Sequence, residues 1–314
     1  MPLLTTTTRR RRSFQHWSGV TFSCILPLIM NICLFEAHEL GKPLAKQDER
    51  TRHIVNVLHK KTGDRFEAGI IGGSAGTAVI THIAPAGADN EGALSFTFEP
   101  KSDGKPLYPL MLVIGFPRPI QLRRLLRDVA GLGVCAVHLT GTELGEKSYR
   151  NSTLVERGAA YQMLLDGTAQ AASTHVPALY LHQSLAECLE ALAAEVERNY
   201  GAVRRVALDN IRPQCSLGGW LHAAHSTDDG ADMQQPHHTS DESATHAAYS
   251  PTVRPASALY IAAIGSERGW TDRERTLMET HGFTRCGMGC RVLRTETAAT
   301  VACSLILDHM GMLS

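Results

Sequence analysis

The sequence predicts an α/β protein in two parts: a small β-barrel, then a larger domain of alternating strands and helices around a mostly parallel sheet. Three observations predict it. The chain has 314 residues, more than one small domain needs, and its 43% hydrophobic content is enough to fill real cores. Between Met30 and Pro109, strand-length apolar runs follow one another closely, bounded by Gly, Pro, Asp or Asn. From Leu110 onward, apolar strands alternate with amphipathic helices, the pattern of crossover-linked parallel strands.

The N-terminus has to be assigned first. Arg9–Arg12 is basic and Val20–Phe35 mostly apolar, which imitates a secretion signal. The apolar stretch is short for a membrane span, and Phe35-Glu36-Ala37-His38 is a poor cleavage site. Translation is therefore expected to begin at Met30, with residues 1–29 a disordered tail or no part of the protein. Met30–Phe35 then reads as the first strand and Arg50–Leu58 as a short helix. Arg65–Ile71, Thr77–Ile83 and Ala93–Phe98 complete a barrel of short strands spanning 30–108, and Glu99–Pro109 reads as a linker.

In the second part, 109–314, Met111–Phe116 and Val134–Leu139 are strands. The helix between them, Pro119–Leu132, has Ile120, Leu122, Leu125, Leu126 and Val129 on its apolar face. Ser184–Tyr200 is helical, with Leu185, Leu189, Leu192 and Val196 at helical spacing. Arg204–Asn210 and Ala258–Ile264 are strands, and Glu296–Met310 is a final helix. Thr271 followed by Glu274 is a capping box opening the helix Thr271–His281. Residues 213–255 are rich in His, Asp, Ser, Thr and Pro and poor in aliphatics, so a disordered insertion is expected there.

Lys plus Arg equals Asp plus Glu at 31 each, so a globally basic nucleic-acid binder is excluded and RNA contact has to come from local patches. Arg118, Arg123, Arg124 and Arg127 lie on or beside one helix, and Lys60 and Lys61 close the short N-terminal helix. Such groups would contact phosphates, or equally form a solvated helix face. Eight cysteines without a regular framework read as free thiols of a cytoplasmic protein. Cys286 and Cys290 lack a second soft pair, and the histidines of the insertion read as incidental, so no metal is expected. No membrane association is expected either.

The chemistry is expected at two glycine turns near the C-terminus. Ile264-Gly265-Ser266-Glu267-Arg268-Gly269-Trp270 leaves a buried strand for the capped helix. Met288-Gly289-Cys290-Arg291-Val292-Leu293-Arg294-Thr295-Glu296-Thr297-Ala298 leaves the next strand for the last helix. Ligands of open α/β sheets bind beyond the carboxyl ends of strands, and glycine lets backbone approach a ligand closely. Neither turn is a P-loop or a G-x-G-x-x-G dinucleotide turn. By themselves they point to a small-molecule site, or to simple helix-entry turns.

The second turn closely resembles the L-G-x-R-I-L-R-T-E-T-A signature of the ribosomal RNA small subunit methyltransferase E family, uracil-N3 methyltransferases of the SPOUT superfamily. Only Leu to Met and Ile to Val differ. The first turn is similar to the family's I-G-P-E-G-G-F, and His53 to Asp64 resembles its H-x-x-x-V-L-R-x-x-x-G-D. The resemblance implies a PUA-like barrel, a SPOUT domain with a C-terminal trefoil knot, and usually a homodimer. It implies S-adenosylmethionine bound by Leu208, Ile264, Gly265, Gly269, Met288, Gly289, Val292 and Leu293, and a uridine of 16S ribosomal RNA in the small subunit as target. Arg291 and Arg294 are then candidates to hold phosphate or stabilise a uridine anion. Glu296 is a candidate to accept the N3 proton, or a residue that favours the helix N-terminus. His53 and Arg268 join the basic residues as RNA contacts. Two departures stand out. Relatives carry Lys-x-x-Glu-Leu-Gly-Val where this chain has Leu126-Arg127-Asp128-Val129-Ala130-Gly131-Leu132-Gly133-Val134, and Glu-Gln-x-x-Arg where it has Ala169-Gln170-Ala171-Ala172-Ser173. A catalytically silent RNA-binding or ribosome-assembly protein, or methylation at another RNA position, are the competing readings.

Overall fold

A computed structural model of the chain describes residues 31–84, 93–150, 158–199, 202–228 and 258–313. Residues 1–29 and most of the insertion lie outside the described residues.

The N-terminal part is an open sheet. Strands β1 (Cys33–Phe35), β2 (Arg65–Ile70), β3 (Ala75–Ile83) and β4 (Leu94–Ser102) lie in the order β1-β2-β3-β4. The expected closed barrel is not present among the described residues; β1 joins β2 in parallel and the rest is antiparallel. Phe35, Phe66 and Phe96 form its core with Ile54, Ile80 and Leu94. The short helix α1 (Glu49–Arg52) runs on as one π-helical turn, His53–Val57. Asp48 caps it by accepting from the Arg50 amide at 2.8 Å, and Arg50 is clamped between Glu39 and Asp48.

The expected linker is partly strand: β4 extends to Ser102, and β5 (Tyr108–Gly115) starts before Leu110. The second part follows the expected alternation. After β5 come α2 (Pro119–Gly131), β6 (Val134–Thr140), the short α3 (Lys147–Arg150), α4 (Ala159–Gln170), β7 (Ala178–His182) and α5 (Leu185–Asn199). Then follow β8 (Val203–Leu208), β9 (Cys215–Ser216), α6 (Leu217–Asp228), β10 (Leu259–Ile264), α7 (Asp272–Thr280), β11 (Thr284–Gly287) and α8 (Thr295–His309). The strand order is β7-β6-β5-β10-β8-β11-β9, and every pairing is parallel. Because parallel strands covered on both faces are buried throughout, β10 is Leu-Tyr-Ile-Ala-Ala-Ile with no exposed residue. Leu110, Leu112 and Ile114 face α2, α4 and α8, whereas Met111 and Val113 face α5 and α7, so the sheet sits between two helical layers.

One expectation is corrected outright. Residues 217–228, read as disordered insertion, form helix α6, with Leu217 and Leu221 buried in the core. Its Leu-Gly-Gly-Trp-Leu start carries few aliphatics, but two of them reach the sheet.

The two parts are joined by the loop after α4. Thr174, fully buried, donates its hydroxyl to the Gly73 carbonyl at 2.6 Å and accepts from the Gly72 amide at 2.8 Å through its own carbonyl. Ser173 donates to the Lys105 carbonyl at 3.1 Å, and Lys105 reaches back to the Ala171 carbonyl at 3.0 Å. Gly104, at φ +78, leaves room for this contact: a Cβ there would lie 2.0 Å from the Thr174 hydroxyl.

At the other end of the sheet a buried ion pair fixes the chain after β8. Arg275 of α7 donates through Nε to Asp209 at 2.6 Å, and both side chains are almost fully buried. Asp209 also accepts from the Ile211 amide at 2.9 Å, while Arg275 reaches Asp272 at 2.8 Å.

Two stability outcomes follow. Gly104→Ala should destabilise the protein by about 1–3 kcal/mol, because it both strains the backbone and overpacks Thr174; denaturant unfolding measures this. Arg275→Met should cost roughly 3–5 kcal/mol by removing the close partner of the buried Asp209 carboxylate, which is left with the longer ion pair to Arg285 at 4.0 Å, and a simultaneous Asp209→Leu should recover a substantial part of that loss in a double-mutant cycle.

Candidate functional site

The carboxyl ends of β10, β8 and β11 lie side by side, and each ends in a turn. The turn after β10 is a reverse turn, Ser266 to Gly269, closed by the Gly269 amide donating to the Ser266 carbonyl at 2.9 Å. Gly269 sits at φ +72, a conformation that favours glycine. Trp270 then plunges into the core, 2% exposed, and its indole N–H donates to the Leu208 carbonyl at 3.2 Å. That bond ties the β10 turn to the end of β8. Thr271 and Glu274 form the expected capping box of α7. Gly289, at φ +90, reverses the chain after β11, and Thr295, buried at the start of α8, donates to the Gly265 carbonyl at 3.3 Å.

These three turns enclose a cavity of about 300 Å³. Leu208, Ile264, Gly265, Gly269, Met288, Gly289, Val292 and Leu293, the full set expected from the sequence, line it together with Arg268 and Arg291. The lining divides by chemistry. Leu208, Ile264, Met288 and Leu293 supply apolar surface; Asp209, Asn210 and Ser266 supply polar groups. Gly265 is needed for space: a Cβ on it would lie 3.0 Å from the Gly269 Cα.

The other expected site residues are placed less uniformly. Arg294 is the N-cap residue of α8 and Glu296 lies in its first turn, one step beyond the lining. Arg118 is exposed near the cavity, its amide donating to Glu267 at 3.0 Å and its guanidinium 3.8 Å from the same carboxylate. Arg123 and Arg124 are exposed on α2. Arg127 is different: it is half-buried and pairs with Asp166 of α4 at 3.0 Å, so it fastens two helices rather than facing solvent. The reason is that the two helices pack together and bring Arg127 to Asp166, 39 residues away in the sequence. His53 also departs from the expected exposed role. It is 8% exposed inside the π-helical turn, and burial pushes its pKa below the usual histidine range, so it is a neutral group. It lines a separate cavity of about 330 Å³ with Lys60 and Arg65; Lys61 is exposed nearby.

Sequence reasoning missed the groups that brace the cavity. Asp209 and Arg275 support its floor, and Thr142 from the end of β6 donates to the Ser266 hydroxyl at 3.1 Å. Gly115 makes that approach possible, since a Cβ there would lie 2.6 Å from the Ser266 amide. Glu274 does double duty: it caps α7 and accepts from the Glu143 amide at 2.8 Å. Beside it lies a second cleft of about 370 Å³, lined by Glu143, Lys147, Arg150 and Arg273 among others. The Thr271-x-x-Glu274 spacing signalled the cap, but no spacing signalled its long-range partners.

A family model described as an RNA methyltransferase domain matches residues 104–212 and 203–307. The chain is 38% identical over 286 residues to the ribosomal RNA small subunit methyltransferase E of Treponema pallidum, covering 89% of this chain and 91% of that protein. It is 26% identical over 277 residues to ribosomal RNA small subunit methyltransferase E 1 of Borreliella burgdorferi, covering 88% and 97%. Its fold is similar to the crystal structure of a ribosomal RNA small subunit methyltransferase E from Neisseria gonorrhoeae bound to S-adenosyl methionine, with a TM-score of 0.61, 19% identity, and coverage of 89% and 97%. With the two glycine-bearing turns in place and this extent of identity, the chain belongs to the ribosomal RNA small subunit methyltransferase E family.

Proposed function

We propose that this protein is an S-adenosylmethionine-dependent methyltransferase of small-subunit ribosomal RNA, acting on N3 of a uridine. The single observation that supports it most is the convergence of the two signature turns with the end of β8 around one cavity. About 300 Å³ lies at the small end of the range for small-molecule sites. The donor set fits the molecule: aliphatic walls for an adenine ring, backbone amides and carbonyls at the strand ends for its edges, and Asp209, Asn210 and Ser266 for hydroxyl and amino-acid groups. When bound, S-adenosylmethionine supplies an electrophilic methyl group on a sulfonium centre.

The chain's own residues then have defined tasks. Uridine N3 carries a proton on the base-pairing edge, so the base has to be unpaired and the proton removed before N3 can act as a nucleophile. Arg291 at the cavity and Arg294 at the α8 N-terminus hold phosphate or offset negative charge developing on the uracil ring. Glu296, one residue into α8, receives the N3 proton. Arg118, Arg123, Arg124 and Arg268 form the positively charged approach around that mouth, with Lys60, Lys61 and the cavity at His53 contacting RNA farther away.

The same reading includes a trefoil knot and a homodimer. After β11 the chain turns back beside the β10 turn, and α8 packs against α2, β10 and β5. In this reading that segment is threaded through the preceding loops, which makes the knot. Val301 and Leu305 of α8 remain partly exposed, with Ile120 of α2 62% exposed, a face that a second copy would cover. The open N-terminal sheet corresponds to a PUA-like RNA-binding module. Among the described residues no helix is long and apolar enough to cross a membrane, and we place the protein in the cytoplasm.

Two measurements test the reading. Gly265→Ala should weaken S-adenosylmethionine binding roughly tenfold or more, about 1.4 kcal/mol, in calorimetry; unchanged affinity would remove the cavity from the proposal. Mass spectrometry of small-subunit ribosomal RNA should lose N3-methyluridine when the gene is deleted and regain it with the wild-type gene but not with Arg294→Ala. An unaltered mark alongside intact donor binding would move the target to another RNA position, and absence of donor binding would leave a silent RNA-binding protein.

A further inference from the structure

Away from that cavity, three soft or borderline ligands converge under the sheet edge. His138 in the middle of β6, His182 at the end of β7 and Cys188 on α5 each offer one ligand atom, and all three atoms lie within 4.8 Å of one another. All three residues are buried, at 1%, 7% and 0% exposure. The two imidazoles meet through His138 Nδ1 and His182 Nε2 at 3.0 Å, with their planes 10° apart. Tyr180 stacks on the other side of His138, its ring centroid 4.5 Å away.

Protein hydrogen bonding leaves this cluster incomplete. Two neutral imidazoles share one proton across the 3.0 Å contact, which satisfies one nitrogen of each ring. His138 Nε2, the nitrogen that does not face His182, is buried with no hydrogen-bond partner, so Nδ1 is the nitrogen that would ligate the ion. Glu187, on α5, accepts from the Gln183 amide at 2.7 Å.

We propose that His138, His182 and Cys188 form a zinc site, with the fourth position taken by water or a small exogenous ligand. Zinc binds imidazole nitrogen at about 2.0–2.1 Å and thiolate at about 2.3 Å in a tetrahedron, so its ligand atoms lie roughly 3.2–3.8 Å apart. The nitrogen pair is already close to that spacing, and a rotamer adjustment brings the Cys188 sulfur in. On binding, the Cys188 thiol releases its proton to solvent and a zinc–sulfur bond forms, and the proton shared by His138 Nδ1 and His182 Nε2 moves to the far nitrogen of its own ring so that both facing nitrogens present lone pairs; no oxidant or reductant takes part. Entry is through β7, the outermost strand of the sheet on that side, where Tyr180 and Leu181 are exposed. The site would pin the edge strand to β6 and to α5, and through β6 the loop at Thr142 that braces Ser266. It stands independently of the methyl-transfer reading, since none of its ligands lines the donor cavity.

The test uses the full chain, stripped with chelator and titrated with Co²⁺ and then Zn²⁺. One equivalent of cobalt should produce intense tetrahedral d–d bands and a thiolate-to-cobalt charge-transfer band. Zinc should displace both and raise the unfolding temperature. Cys188→Ser and His138→Gln should each abolish the charge-transfer band or weaken binding at least a hundredfold, while Cys135→Ser, a buried thiol on the same strand as His138, should leave it unchanged. Zinc-edge anomalous diffraction from the wild-type protein covers the case in which the variants fail to fold, and should place the ion among these three residues. An ion found instead at Cys215 and Cys286, whose sulfurs are 3.5 Å apart, or at the histidines between 222 and 246, overturns the proposal, as does a cobalt spectrum without thiolate character.

Discussion

Everything at the candidate site depends on the placement of β10 between two parallel partners. A fully buried, all-apolar strand can be satisfied only with hydrogen-bonded neighbours on both edges and helices on both faces. β5 and β8 supply the edges. Because the neighbours run parallel, their carboxyl ends share one side of the sheet, and the turns after β8, β10 and β11 have nowhere to go but beside one another. The cavity is the space those turns cannot fill, since Gly265 and Gly269 have no side chains to fill it and Trp270 is drawn down into the core.

The bracing of that space is polar and buried. Asp209 would be costly to bury alone, and Arg275 would be costly to bury without it. Together they hold the segment after β8 against α7, whose start is fixed by Thr271 and Glu274. Glu274 in turn grips the Glu143 amide, and Thr142 reaches Ser266, so the ends of β6, β8 and β10 and the start of α7 form one hydrogen-bonded unit. Such a unit preorganises a site instead of leaving it to close around a ligand.

The departures from the family pattern acquire a physical meaning in the same way. Ser173, where relatives carry Arg, is a buried residue whose hydroxyl holds the linker at Lys105. Its neighbour Thr174 joins the two parts of the molecule through Gly72 and Gly73. Arg127, in the stretch that lacks the family's Lys and Glu, pairs with Asp166 and locks α2 to α4. At these positions the chain has residues that serve docking, while Arg268 and Arg291 line the cavity and Arg123 and Arg124 are exposed on α2.

The sequence by itself determined the alternation of elements in the second part, because apolar periodicity is a local consequence of which face is buried. It also determined the capping box, whose partners are three residues apart, and it pointed to the two signature turns as a small-molecule site, whereas the insertion of β8 between the strands they leave was decided by the tertiary structure. The open sheet in place of a barrel, helix α6 inside a polar stretch, the burial of His53, the Asp209–Arg275 and Arg127–Asp166 pairs, and the meeting of His138, His182 and Cys188 were decided only by tertiary structure. Each of these rests on residues brought together across a sheet or between packed helices, by contacts whose separation along the chain carries no period and no local propensity that a sequence can display.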